Sequence, residues 1–192
     1  MKKIKKNQKV RENRISSKSR TEELAKDSAQ VRLVPASEKA RELFDRGFSC
    51  SQAVFVPYAV NLGLPEEAAL KMSQVLGGGV SHQGLTCGAV MGALLVLGLH
   101  FGRSHPEDLT SKELTYFLAQ NFCRQFIELH GSINCSDLIG CSLKTPHGLA
   151  LAHEKNLFQK FCTGYVKDAC CLLDEIIQEG IKIKNQKLLE RK

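Results

Sequence analysis

Gly47-Phe48-Ser49-Cys50-Ser51-Gln52-Ala53-Val54-Phe55-Val56-Pro57-Tyr58-Ala59-Val60-Asn61-Leu62-Gly63 is a stretch with a start, an apolar body and a stop. Ser49 and Gln52 have the spacing of a capping box, in which a hydroxyl and a carboxamide three residues apart satisfy backbone donors at a helix end. The spacing predicts a helix from Cys50 to about Leu62, ended by Gly63. The same punctuation recurs on both sides. Upstream, Ser37 can cap a helix to about Arg46, and Gly47 breaks it. Downstream, Pro65-Glu66-Glu67 supplies the first turn of a helix that runs to Gly77-Gly78-Gly79. Thr86 can cap a long apolar helix from Cys87 to about Phe101. Thr110 to Glu113 reads as a second capping box, opening a helix with Leu114, Leu118, Phe122, Phe126 and Leu129 on one side and Gly131 at its end. Thr145-Pro146 starts a further helix. Gly164 to Glu179 is the last, with Val166, Cys170, Leu173 and Ile177 on one stripe. No segment alternates as a strand for more than a few residues. The expected class is all-α, a compact multi-helix domain around the small-residue-rich helix that begins at Cys87.

The chain has 192 residues and is 43% hydrophobic, enough for one domain with a core. Its net charge of +7 suggests a nucleic-acid or membrane ligand until it is located. Residues 1–36 carry +7, residues 37–179 carry −4 and residues 180–192 carry +4. The excess therefore sits in two flexible basic tails flanking a mildly acidic helical domain, and no specific nucleic-acid binding is expected. The first tail is a solubilising arm or a contact for anionic surfaces. The opening run lacks an apolar stretch after its basic residues, so no secretory signal is read and a cytoplasmic location is expected. No Asp, Glu, Lys or Arg occurs between Lys71 and Arg103. The glycine run and Ser81-His82-Gln83 interrupt that segment, and Leu85 to Leu99 is too short to span a bilayer, so no transmembrane segment is expected. The helix from Cys87 can serve as core or as a self-association face in a homodimer.

Eight cysteines in a reducing compartment point toward metal or redox chemistry rather than permanent disulfides. No CxxC pair exists, which removes a local thioredoxin-like or zinc-ribbon motif. Cys50 follows Ser49, Cys87 follows Thr86 and Cys135 follows Asn134, each at the first position of an expected helix. Free N–H groups and the helix dipole favour a thiolate there. Cys162, just before Thr163-Gly164, makes a fourth. Cys123, Cys170 and Cys171 read as core residues, and Cys141 sits in a loop. His82, five residues before Cys87, is solvated or an additional ligand. His130 falls in the last turn of its helix, where positive charge is favourable. The sequence shows no Ser-His-Asp order and no paired-carboxylate motif, and the glycine run lacks the Lys-Ser/Thr of a phosphate-binding loop.

Gly47 to Val54, then Cys87-Gly88-Ala89-Val90-Met91-Gly92, then His130 to Cys135 with Leu138, then Cys162 with Val166, resemble the redox-active C_GCAxxG_C_C family. The resemblance covers roughly residues 37 to 178. The label spells Gly-Cys-Ala where this chain reads Cys-Gly-Ala. It implies that Cys50, Cys87, Cys135 and Cys162 form one redox site. A haem-containing relative is associated with an iron-sulfur cluster, so it further implies a cluster for electron transfer to an unspecified redox partner. The chain has no CxxCH for covalent haem. Four thiolates can hold a two-iron or four-iron centre, and small residues such as Gly77 to Gly79, Gly84, Gly88 and Ala89 let backbone N–H groups reach its sulfurs. Two other chemistries stay open: thiol-disulfide exchange by a pair such as Cys50 and Cys87, and a structural four-cysteine zinc site in an interaction module. Enzymatic turnover does not follow from the residues.

Overall fold

The computed structural model describes residues 35–189, and among them every regular element is helical. The elements are α1 (Ala36–Asp45), α2 (Cys50–Asn61), α3 (Glu66–Gln74), α4 (Gly88–Phe101), α5 (Leu109–His130), α6 (Cys135–Ile139), α7 (Pro146–Glu154) and α8 (Thr163–Leu189). A short glycine turn, Gly77–Val80, precedes α4, and a π-helical turn, Phe158–Cys162, leads into α8. Among the described residues no helix is long and apolar enough to cross a membrane. The N-terminal basic arm lies outside the described residues.

Two helices form the centre. The capping box at the start of α2 is complete: Gln52 N–H donates to the Ser49 hydroxyl and Ser49 N–H donates to the Gln52 carboxamide oxygen. Every residue from Cys50 to Ala59 is buried, so α2 has no solvent face over that span. It meets α4 where glycine leaves room. A Cβ on Gly92 would stand 2.8 Å from the Ser51 carbonyl oxygen and 3.1 Å from Val54 Cβ. A Cβ on Gly88 would stand 2.5 Å from Cys50 Sγ. The small-residue helix is thus central because it lets the α2 backbone come close.

The longer helices close around this pair. Leu114, Leu118, Phe122 and Phe126 of α5 are buried, as the stripe predicts, while Leu129 faces solvent. Val166, Cys170 and Leu173 of α8 are buried against α1, α2, α4 and α5, and Ile176 rather than Ile177 completes the buried row. Tyr58 of α2 donates to Asp174 Oδ1 at 2.7 Å and ties α8 to the centre.

Four expectations about helix ends need correction. Ser37 is not the first cap: α1 begins at Ala36 behind Pro35, whose fixed φ suits a helix entry. Thr86 does not cap α4. It is held extended in an antiparallel bridge with Asn134, so Cys87 becomes the N-cap. Asp108 caps α5 by accepting from Ser111 N–H, so the helix starts before Thr110. Finally, α8 does not stop at Glu179. Gly180 sits where a Cβ would press on Phe101 and Leu118, at 2.6 and 2.7 Å, so it is a crossing point and the helix continues to Leu189.

Candidate redox site

Cys50, Cys87, Cys135 and Cys162 come from four separate segments, are all buried, and line one open cleft of about 440 Å³. Backbone pairing brings two of them together. Opposite the Thr86–Asn134 bridge, Cys87 N–H donates to Ile133 O and Cys135 N–H donates to Leu85 O, both at 2.7 Å. Ser136 N–H donates to Gly84 O at 3.1 Å. The loop before α4 and the loop before α6 are therefore one two-stranded unit.

That pairing changes the electrostatics expected at helix starts. The N–H groups of Cys135 and Ser136, which would favour a thiolate if free, are occupied by the Leu85 and Gly84 carbonyls. Burial pushes the Cys135 thiol up to about 12, with the nearby Cys50 and Cys141 sulfurs adding to the effect. Cys162 ends a π-helical turn rather than starting a helix, and burial, then Cys50 and Cys135, raise it strongly. The Cys87 thiol is also raised, first because it donates to Cys50 and then because it is buried. Cys50 alone of the four is drawn down, to about 7. The hydrogen bond from Cys87 is the main cause, opposed by burial and assisted by the N–H groups of Gly78, Ser51 and Cys50 itself. Of the four thiols, Cys50 is thus the most readily ionised, and the other three are held toward the protonated form.

Gly78 reaches Cys50 because the chain winds left-handed there. Gly78 and Gly79 have φ/ψ of 63°/28° and 65°/60°, and Val80, Ser81 and His82 follow at φ of 61°, 51° and 63°. Such backbone costs a residue with a side chain roughly 1–2 kcal/mol. Three consecutive residues bear that cost, Val80 among them with a branched Cβ. The turn is held by Ser81 N–H and Oγ–H donating to Val75 O and by Leu85 N–H donating to Gly79 O. A Cβ on Gly79 would stand 2.7 Å from Cys135 Cβ, so the turn also supports the second pair of cysteines. The glycine run signals a break, but nothing in Val80-Ser81-His82 announces left-handed backbone.

Beyond the cysteines, the cleft is lined by residues that include Phe48, His82, His153, Phe158 and Tyr165. The Tyr165 hydroxyl donates to Leu138 O at 2.8 Å and fastens α8 to α6 beside Cys135. Sequence reasoning reached His82 but missed His153, Phe158 and Tyr165. Tyr165, three residues past Cys162, is the one whose spacing pointed to the site. His130 differs from its expected role. Its ring packs on Phe126 and Tyr165, and burial lowers its basicity despite Asp168 Oδ2 at 3.5 Å from Nε2. Of the remaining cysteines, Cys170 is a core residue as expected, Cys123 is half-buried, and Cys171 is exposed rather than core. The half-buried Cys141 lies 3.8 Å from Gly148 O.

All eight cysteines are free thiols. Among the described residues no three His, Cys, Asp or Glu side chains stand close enough together to hold a single metal ion. A cluster interposes iron and sulfide between its thiolates, so its ligands stand farther apart than those around one ion. The four cysteines lining the cleft are thiol donors of the type such a cluster takes.

The family model described as "Putative redox-active protein (C_GCAxxG_C_C)" matches residues 48–176. An uncharacterized protein of Archaeoglobus fulgidus is 30% identical over 111 residues, covering 54% of this chain and 73% of the relative. No solved structure matches. Because the matched span covers most of the chain, from the segment before Cys50 to past Cys162, and takes in all four cleft cysteines, the chain belongs to the redox-active C_GCAxxG_C_C family.

Proposed function

We propose that the chain is an electron-transfer protein in which Cys50, Cys87, Cys135 and Cys162 ligate one iron-sulfur cluster. The observation that carries this is the convergence of four sequence-distant thiols on one cleft. A cluster held there supplies reversible one-electron chemistry. The chain's own groups then set the environment: Gly78 N–H points at Cys50 sulfur, Gly88 leaves that sulfur unobstructed, and burial leaves little of any of the four cysteines exposed to water. Free cysteines suit a reducing compartment, the cytoplasm, and residues 1–36 supply a basic arm for anionic surfaces.

Anaerobic purification followed by a visible spectrum and iron and acid-labile sulfide assays tests the proposal. Stoichiometric iron and sulfide are expected, with similar losses in Cys50→Ser, Cys87→Ser, Cys135→Ser and Cys162→Ser. Background iron and sulfide in folded protein never exposed to oxygen would overturn it.

One contact favours a second reading. Cys87 donates to a poised Cys50 thiolate, the arrangement of a dithiol exchanger. Cys50 would attack a substrate disulfide and release one substrate thiolate. Cys87 would then attack the mixed disulfide, release the second and leave a Cys50–Cys87 disulfide. Under this reading oxidation blocks only that pair, and Cys135→Ser and Cys162→Ser retain exchange.

A further inference from the structure

We propose that the cleft in front of the cysteines is also a binding subsite for an uncharged, planar quinone, an inference that rests on the electron-transfer reading of the same cleft. The size comes first. The cleft as a whole holds about 440 Å³, shared between the space among the four sulfurs and a lining that extends past them to Phe158 and His153.

The chemistry of that lining narrows the ligand. Among the described residues around the cleft there is no Asp, Glu, Lys or Arg. A phosphate-bearing molecule would find no cation in the lining itself, and Arg46, beside the wall, has its guanidinium over the Phe48 ring. Phe158 offers a face for a flat ring, while the Phe48 ring already carries the Arg46 guanidinium 5.5 Å from its centroid. His82 and His153 each carry a ring N–H suited to a carbonyl oxygen. A quinone joins these features, a flat apolar ring with carbonyl oxygens at its edges.

Two geometric details show that the wall is held in place. The His153 and Phe158 rings meet edge to face with centroids 5.2 Å apart, which fixes both at the mouth. His82 sits on the left-handed turn, with its ring so close to Gly78 that a Cβ there would collide with it. Strained backbone gathers where a group must be held for a ligand. Because Gly78 N–H donates to Cys50 sulfur, the same turn joins the quinone wall to the redox site.

The probe is duroquinone, whose ring positions are all methylated and therefore closed to thiolate addition. It is titrated anaerobically into the full chain, followed by calorimetry and by the histidine ring resonances. Saturable binding is expected, with shifts at His82 and His153. Phe158→Ala should weaken binding on the order of fivefold, and His153→Ala, at an exposed position, should weaken it without loss of helicity. Flavin mononucleotide should bind less tightly than duroquinone. The subsite is refuted by no saturable binding in folded chain, by equal binding in both variants, or by tighter binding of the flavin. Iron and sulfide are measured on the same samples. Quinone binding without iron removes the cluster reading and leaves the subsite standing, whereas a loaded chain that ignores duroquinone does the reverse.

Discussion

The two halves of the cysteine site are built by different means. Cys50 and Cys87 lie where α2 and α4 approach across glycine, and their thiols are hydrogen-bonded to each other and to backbone N–H groups. Cys135 and Cys162 stand on a five-residue helix and a π-helical turn, and burial dominates their chemistry. In the first half a thiol donor on the neighbouring helix, assisted by backbone N–H groups, draws the Cys50 thiol down despite its burial. The second shows that a helix start does not do so when its N–H groups are already paired.

The strongest way to break the contrast is to fill the glycine contact. Gly92→Val should cost about 3 kcal/mol, because the three nearest obstructing atoms all belong to α2 and two of them are backbone. Denaturant unfolding would measure it, and the Cys50 thiolate should be lost with the packing. Alkylation of the metal-free, reduced chain sharpens the contrast next. Cys50 should react with a midpoint near pH 7, while Cys135, held up to about 12, should be slower at neutral pH on the order of a hundredfold or more. Peptide mapping by mass spectrometry gives both rates.

The halves also differ in how they link stability to pH. Cys50 titrates lower in the folded chain, so its contribution is present above the unfolded thiol value and fades as pH falls through about 7. Cys135 and Cys162 titrate higher when folded, so their contribution is present below the unfolded value of about 8.5 and is lost as pH rises past it. Replacing both with Ala should flatten the alkaline side of the stability profile between about pH 8.5 and 10. Smaller changes follow. Ser49→Ala should cost about 1 kcal/mol through the capping box at Cys50. Tyr165→Phe should cost a similar amount, about 1 kcal/mol, on the other side by leaving the Leu138 carbonyl without its donor. If Tyr165→Phe instead altered Cys50 reactivity as much as Ser49→Ala, the halves would not be independent.

These differences track what the amino-acid order reveals. The Ser49–Gln52 box, the stops at Gly63 and Gly131, Thr145 as a cap and the α5 stripe from Leu114 to Phe126 are local signals, and each appears where its spacing places it. They describe the first half well because Cys50 depends on the cap beside it. The second half depends on contacts between distant segments. Nothing near Thr86 signals that it pairs with Asn134, and nothing near Gly180 shows that the residue faces Phe101 and Leu118 instead of ending a helix. The left-handed path through Val80, Ser81 and His82 opposes local preference and persists only because the loops around it pack and bond to it.

The Thr86–Asn134 bridge ties a knot of contact order into the molecule. It closes a loop containing all of α4 and α5, so the seat of Cys135 beside Cys87 depends on how those two helices pack between them, and damage to that packing reaches a sulfur that neither helix carries.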